Sequence, residues 1–262
     1  VSARSPLGEF LRARRAVAVP DEDSLKLPGE RRVKGLRREE VAQRAGVSVD
    51  YHVRLEQGRE HNPSDQVLEA LARALGLDEF ARGHLRRIVA GDTSPPARAE
   101  VARLVQLMQR WTGVAAFVVD RNLDVVASTA LAAQLSSGRL GPGCNLAVYV
   151  FSNALAREQP GWSDLAKNVA AALRFRSLPQ DPRRAEVLES LADDLAFSDA
   201  WSRAEVGPLV SGTISLDLGD KRGQLVEFHA LDVVAAPGYT VLMVRPVLGE
   251  AHRSFPHASQ RR

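Results

Sequence analysis

Between Gly35 and Gly58 the chain reads Gly-Leu-Arg-Arg-Glu-Glu-Val-Ala-Gln-Arg-Ala-Gly-Val-Ser-Val-Asp-Tyr-His-Val-Arg-Leu-Glu-Gln-Gly, two short helical patterns hinged at Gly46. Leu36, Val41, Ala42 and Ala45 fall on one side of the first pattern. Gly46 supplies the left-handed backbone on which a helix can end, Ser48 is placed to cap the second helix, and Gly58 closes it. Helices this short cannot stand alone, so their apolar sides must pack on further helices. The first turns of the second helix are then left facing outward, as in units that enter a DNA major groove, although a helix-Gly-helix pattern by itself also fits an ordinary helical hairpin.

The flanking sequence supplies the required partners. A helix is expected from Pro6 to about Val17, followed by a connection from Pro20 to Gly35 that is long for such a unit and reads as an inserted arm. Val67, Leu68, Leu71, Ala72 and Leu75 recur at helical spacing within Ser64 to Leu75, and Phe80, Leu85, Ile88 and Val89 do so within Asp78 to Val89. Residues 6–90 therefore form an all-α domain. The breaker cluster Gly91-Asp92-Thr93-Ser94-Pro95-Pro96 marks the expected boundary. Beyond it the period changes. After a helix from about Ala97 to Trp111, Ala115 to Asp120 and Asp124 to Ala127 flank Arg121-Asn122-Leu123 as a hairpin. Helical patterns follow over Asp164 to Phe175 and Arg183 to Leu195, then strands over Thr213 to Leu218, Gln224 to Leu231 and Tyr239 to Arg245. Residues 97–248 thus read as an α+β domain with an antiparallel sheet, and 249–262 as a polar, flexible tail.

Composition narrows the class. With 45% hydrophobic and 26% charged residues the chain is an ordinary globular one, and its 262 residues suffice for two cores. No apolar run is long enough to span a membrane, and Val1 to Leu11 lacks the core of a signal peptide, so no membrane partner and a cytoplasmic location are expected. The single cysteine, Cys144, cannot form an internal disulfide and reads as a buried or loop thiol. Residues 1–90 hold 17 Lys and Arg against 14 Asp and Glu, while 91–262 hold 18 against 18, so the net charge of +3 lies wholly in the helical domain. Lys26, Arg31, Arg32, Lys34, Arg37 and Arg38 gather there with one acid, Glu30, suiting either a phosphate backbone or a solvated loop.

The order Leu-x-x-x-x-Val-Ala-x-x-Ala-Gly-Val-Ser, with Leu55-Glu56-x-Gly58 and Pro63-Ser64 after it, resembles the helix-turn-helix of the phage-repressor and Cro class. Leu7 to Arg15, Leu36 to Ala42 and Val67 to Leu75 extend the similarity to the MmyB-like bacterial transcription regulators. The second region is similar to that family's ligand-binding domain, which has a PAS-like sheet, through Phe117 to Ala127, Asn145-Leu146-Ala147, Ala172-Leu173-Arg174 and Trp201. It departs from the family at Ser128-Thr129, where an aromatic-Asn pair is usual, and at Leu209 to Thr213, where a His-Pro-bearing segment is usual.

On the family's pattern the second helix turns Ser48, Val49, Asp50, Val53 and Arg54 outward and Leu55 inward, and Glu56 should pair with Arg15. Val49 and Val53 lie one turn apart with no core to fill. They suit thymine methyl groups, or are scattered surface valines. Asp50 suits a cytosine amino group, or is placed by the helix dipole alone. Arg37, Arg38, Arg59 and Asn62 are placed for phosphates rather than bases. His52, on the side of Leu55, reads as a packed and hydrogen-bonded imidazole.

These readings imply a ligand-responsive regulator that binds double-stranded DNA, as a homodimer because one such unit reads only a few base pairs. The alternative keeps the DNA-binding role and makes the second domain a protein-interaction or dimerisation module without a ligand. An enzyme is not expected: there is no P-loop, His-Glu-x-x-His, Cys-x-x-Cys or Gly-x-Ser-x-Gly, and Gly138 to Gly143 is broken by Pro142. Asp193 and Asp194 read as a solvated helix face. No catalytic residue, metal site or cofactor is assigned. If the second domain has a pocket, Phe117, Tyr149, Phe151, Trp201, Phe228 and Met243 are the candidates to line it, most of them being core, and the resemblance implies a fatty-acid-like molecule.

Overall fold

The computed structural model describes residues 5–20, 34–90, 98–136, 138–158, 161–209, 211–218 and 221–246. The boundary expected at Gly91 to Pro96, most of the basic connection from Pro20 to Gly35 and the tail 249–262 fall outside them.

In the N-terminal half, α1 (Pro6–Val17), α2 (Arg38–Ala45), α3 (Val49–Gln57), α4 (Asp65–Ala74) and α5 (Glu79–Ala90) enclose one apolar core. Leu7, Phe10 and Leu11 of α1 are buried at the three- and four-residue spacing of one helix face, against Val41 and Ala45 of α2, Leu55 of α3 and Leu68 and Leu71 of α4. Helix α1 crosses α3 at Gly8. A Cβ on Gly8 would lie 2.4 Å from the carbonyl oxygen of Glu56, so only glycine permits the approach.

The apolar stripe of α5 is shared between two partners. Ala81 and Leu85 face the helical core, whereas Phe80 turns outward and meets Phe175 of the second domain edge-on at 5.9 Å. Arg87 lies over the same Phe175 ring at 4.2 Å and donates to its carbonyl, and Val206 joins the first domain's core.

The second half begins with α6 (Arg98–Gln109) and the hairpin β1 (Ala115–Val119) and β2 (Val125–Ser128). Then come α7 (Ala130–Leu135), α8 (Leu146–Ser152), α9 (Ala154–Arg157), α10 (Trp162–Arg176), α11 (Pro182–Ser190) and α12 (Leu195–Ser202). Strands β3 (Ser211–Leu218), β4 (Lys221–Asp232) and β5 (Thr240–Pro246) complete it. Among the described residues the strands form one five-stranded antiparallel sheet in the order β2-β1-β5-β4-β3. Every residue of β1 is buried because both its faces are covered. Phe117 and Val119 meet Val150, Phe151, Val169 and Leu173 in the main core, while Ala116 and Val118 form a smaller cluster with Met108 of α6. That is why the strand reads as an unbroken apolar run rather than an alternation.

Capping side chains set the short helices. Thr129 accepts from Ala132 N and Ala116 N and donates to the Val114 carbonyl, so the Ser128-Thr129 departure both starts α7 and ties it to β1. The helix expected from Arg183 to Leu195 stops early, α11 ending at Ser190, and a separate helix, α12, begins at Leu195, where Asp194 caps it by accepting from Phe197 N at 2.9 Å. Asp194 also pairs with Arg157 and is therefore not a merely solvated acid.

Candidate nucleic-acid interface and ligand cleft

The geometry of the helix-turn-helix follows from local hydrogen bonds. Arg37 stands at the N-cap of α2, with its backbone N–H donating 2.7 Å to Glu40 Oε2. Gly46 takes the left-handed conformation, φ 66°, at the end of α2, and the chain re-enters a helix at Ser48, whose hydroxyl accepts from Tyr51 N at 3.1 Å.

Helix α3 is two-sided. His52, Leu55 and Glu56 are buried, while Ser48, Val49, Asp50 and Arg54 are exposed and Val53 is half-buried. The two ionic groups of the outer face are paired with each other, Asp50 with Arg54 across one turn, and Arg54 also lies 5.7 Å from the Tyr51 ring centroid. What this face offers without prior commitment is the apolar pair Val49 and Val53. Arg59 and Asn62 follow the helix and are exposed, the Asn62 backbone N–H donating to Glu60 Oε1 at 3.2 Å.

The inner side of α3 is anchored by charge. The Glu56 carboxylate has no exposed surface, and Arg15 Nε lies 2.5 Å from its Oε1, Arg38 Nε 2.7 Å from its Oε2 and His52 Nε2 3.2 Å from its Oε1. Arg15 also donates to the Leu36 carbonyl at 3.0 Å. Burial pushes the Glu56 carboxyl up, but the adjacent His52 and the hydrogen bonds from Arg15 and Arg38 outweigh it and hold the pKa at about 2; His52 is packed as expected, but its ring nitrogens make no aligned hydrogen bond. One buried anion thus locks α3 to α1 and α2. The Arg15–Glu56 pair expected from the family's pattern is present. Arg38, read from sequence as a phosphate ligand, also serves as the third partner of Glu56 while its side chain stays 45% exposed. No spacing rule pointed to that contact, because Arg38 and Glu56 meet only after the chain has turned at Gly46.

In the second domain the six candidate pocket residues do not share one cavity. Phe117 and Phe228 border a void of about 10 Å³, room for no more than one water. Phe151 is filled in between Trp162 and Phe197, with ring centroids at 6.0 and 5.1 Å. Met243 lies with the α6 cluster on the other face of the sheet, and Trp201 stacks on Phe197 at 5.5 Å near the first domain. Tyr149 borders an open cleft of about 680 Å³ between α8, α11 and the 139–145 loop, where Val148 and Val187 form apolar wall and Arg139, Cys144 and Arg183 polar wall, and Trp201 borders a different one, of about 370 Å³. Asn145 fixes that loop: its side chain caps α8 by accepting from Ala147 N and Val148 N and donates to the Asn122 carbonyl and Asp124 Oδ1. Asp124 in turn receives Arg183 Nε at 2.7 Å. Among the described residues no group of His, Cys, Asp and Glu could hold a metal ion, and no helix is long and apolar enough to cross a membrane.

Two family models match the chain. One, described as the MmyB-like transcription regulator ligand binding domain, covers residues 101–254, and the other, a helix-turn-helix domain, covers 6–85. No curated protein matches it.

Proposed function

The chain belongs to the MmyB-like transcription regulators, and from that premise we propose that it is a ligand-responsive DNA-binding regulator acting as a homodimer. The observation that carries the reading is α3, whose inner side is fixed by Glu56 and whose outer side presents Val49 and Val53 with Asp50 and Arg54 already paired. In this reading the valines pack on thymine methyl groups, Ser48, Asp50 and Arg54 stand beside the bases, and Arg37, Arg38, Arg59 and Asn62 meet phosphates. In this reading the DNA-binding domain is residues 6–90 and the ligand-binding domain 97–248.

The second domain, which we read as PAS-like from its antiparallel sheet with helices α7 to α12 packed on one face, receives the small molecule. The 680 Å³ cleft beside Tyr149 has the volume of a ligand site, and its apolar wall with arginines at the edge suits a fatty-acid-like molecule. A route to the DNA-reading helix runs through α1. Arg14 donates to the Ala204 carbonyl of the second domain at 3.5 Å, and its neighbour Arg15 holds Glu56 of α3. A ligand that shifts α10 to α12 would shift α1 and with it the pitch of α3.

The filled interior between sheet and helices favours a second reading, in which this domain is a dimerisation or protein-interaction module and binds no metabolite. Native mass spectrometry of gently purified protein separates the two, followed by fluorescence anisotropy on an operator selected from random duplexes. A co-purifying molecule whose removal changes operator affinity supports ligand response. Unchanged affinity, with no bound molecule and an intact dimer, supports the module.

A further inference from the structure

Helix α1 meets the second domain along a cleft of about 370 Å³. Phe10, Ala13 and Ile88 line it from the DNA-binding side, and Arg174, Arg184 and Trp201 from the other. Arg174 lies 3.8 Å from the Trp201 ring centroid and donates to the carbonyls of Trp201 and Glu205, at 2.6 and 3.4 Å. Arg184 lies 5.4 Å from the same ring and donates to the Pro179 carbonyl at 3.3 Å. Arg14 stands beside them with its Nε buried and unbonded.

Among the described residues no carboxylate comes within 4.0 Å of Arg14, Arg174 or Arg184. Glu9 lines the cleft, and with Glu205 and Asp181 it supports the cations from farther away. That support is insufficient: burial, then the nearby Arg184 and Arg14, push Arg174 down to about 9. His84 on the same wall adds no charge, because burial and the surrounding arginines push it to about 3. The carbonyl bonds and the stacking on Trp201 orient these guanidiniums, but they do not neutralise them. Half-buried like charges held at a cavity are stabilised by an anion that enters it.

We propose that this interdomain cleft binds the oxyanion group of a small molecule, a carboxylate or a phosphate ester, between Arg174 and Arg184. Its apolar body lies against Phe10, Ile88 and Pro179. The site is separate from the cleft beside Tyr149. Because its walls come from both domains, an occupant fixes α1 against α10 and α11. That regulatory consequence, unlike the site, rests on the reading of α3 as the DNA-contacting helix.

Titration calorimetry on the full chain at constant ionic strength tests the site with benzoate, phenyl phosphate and the neutral benzyl alcohol. At least one anion is expected to bind one per chain and about tenfold or more tighter than benzyl alcohol, and the better anion identifies the headgroup. Arg184→Gln should weaken that anion by about tenfold, while Glu9→Gln, which removes the opposing carboxylate from an exposed position, should tighten it several-fold. Anions that bind no better than benzyl alcohol, or affinities unchanged in both variants, would overturn the site. If the anion binds as described yet leaves operator affinity unchanged, the coupling is overturned and the site stands. If operator binding is absent altogether, the reading of α3 fails independently.

Discussion

Replacing Glu56 by Gln removes the one carboxylate that joins α1, α2 and α3 while keeping the side chain's shape. In the folded protein the carboxyl is held at about 2 against an ordinary 4.5. At about 1.4 kcal/mol per unit, the ionised form contributes about 3 kcal/mol to stability. Loss of one partner from a buried ionic cluster leads to a similar figure, since Arg15 would remain largely buried without a counterion. The sign follows from the depressed pKa: the contribution is complete above pH 4.5 and is lost as pH falls through 2. Urea unfolding of the helical unit, residues 1–97, followed by circular dichroism in wild type and Glu56→Gln, isolates this group from the other carboxylates. The difference between the two proteins should be about 3 kcal/mol at pH 6 and shrink below about 1 kcal/mol near pH 2. A difference under about 1 kcal/mol at pH 6, or one that does not change with pH, would refute the assignment of Glu56 as the lock on α3.

Gly8→Ala should cost about 2 kcal/mol or more in the same unfolding assay, because the added Cβ meets the backbone oxygens of Glu56 and Leu55 rather than movable side chains. Val49→Ala should alter preference among operator variants by about 1 kcal/mol, whereas Arg59→Ala should weaken all sequences alike; a randomised-site selection that returns the wild-type profile for Val49→Ala would exclude base contact there. Arg38→Ala should combine both kinds of effect, weakening DNA binding and lowering stability by about 1–2 kcal/mol through Glu56, and thermal melts of Arg38→Ala beside Arg59→Ala would expose the difference.

The helix-turn-helix was legible because its determinants are local. Gly46, Ser48, Gly58 and Ser64 each act within one turn of the chain, so their spacing alone placed α2, α3 and the start of α4. The strands were legible where burial on both faces produced an unbroken apolar run, as in β1. Short helices were missed when a single side chain set them: Thr129 for α7, Asn145 for α8 and Asp194 for α12 look like ordinary loop residues until their acceptors are seen bonded. The candidate site divided in the same way. The outward side of α3 follows from a three- to four-residue period, whereas the third partner of Glu56, the separation of the six aromatic and apolar candidates and the Arg174–Arg184 cleft depend on contacts between residues far apart in sequence. Phe80 illustrates why: it is apolar at helical spacing, yet it meets Phe175 at the junction between domains rather than the core of its own helix bundle.

The central claim is that α3 reads DNA on behalf of a dimer. Selection of binding sites from random duplexes by the full chain, followed by affinity measurements on the selected site across a salt series, tests it most directly. The account predicts a bipartite site with half-sites about 34 Å apart or a multiple of that, and log affinity falling linearly with log salt by about 0.9 for each phosphate neutralised. No enriched sequence, together with affinity insensitive to salt, would contradict it.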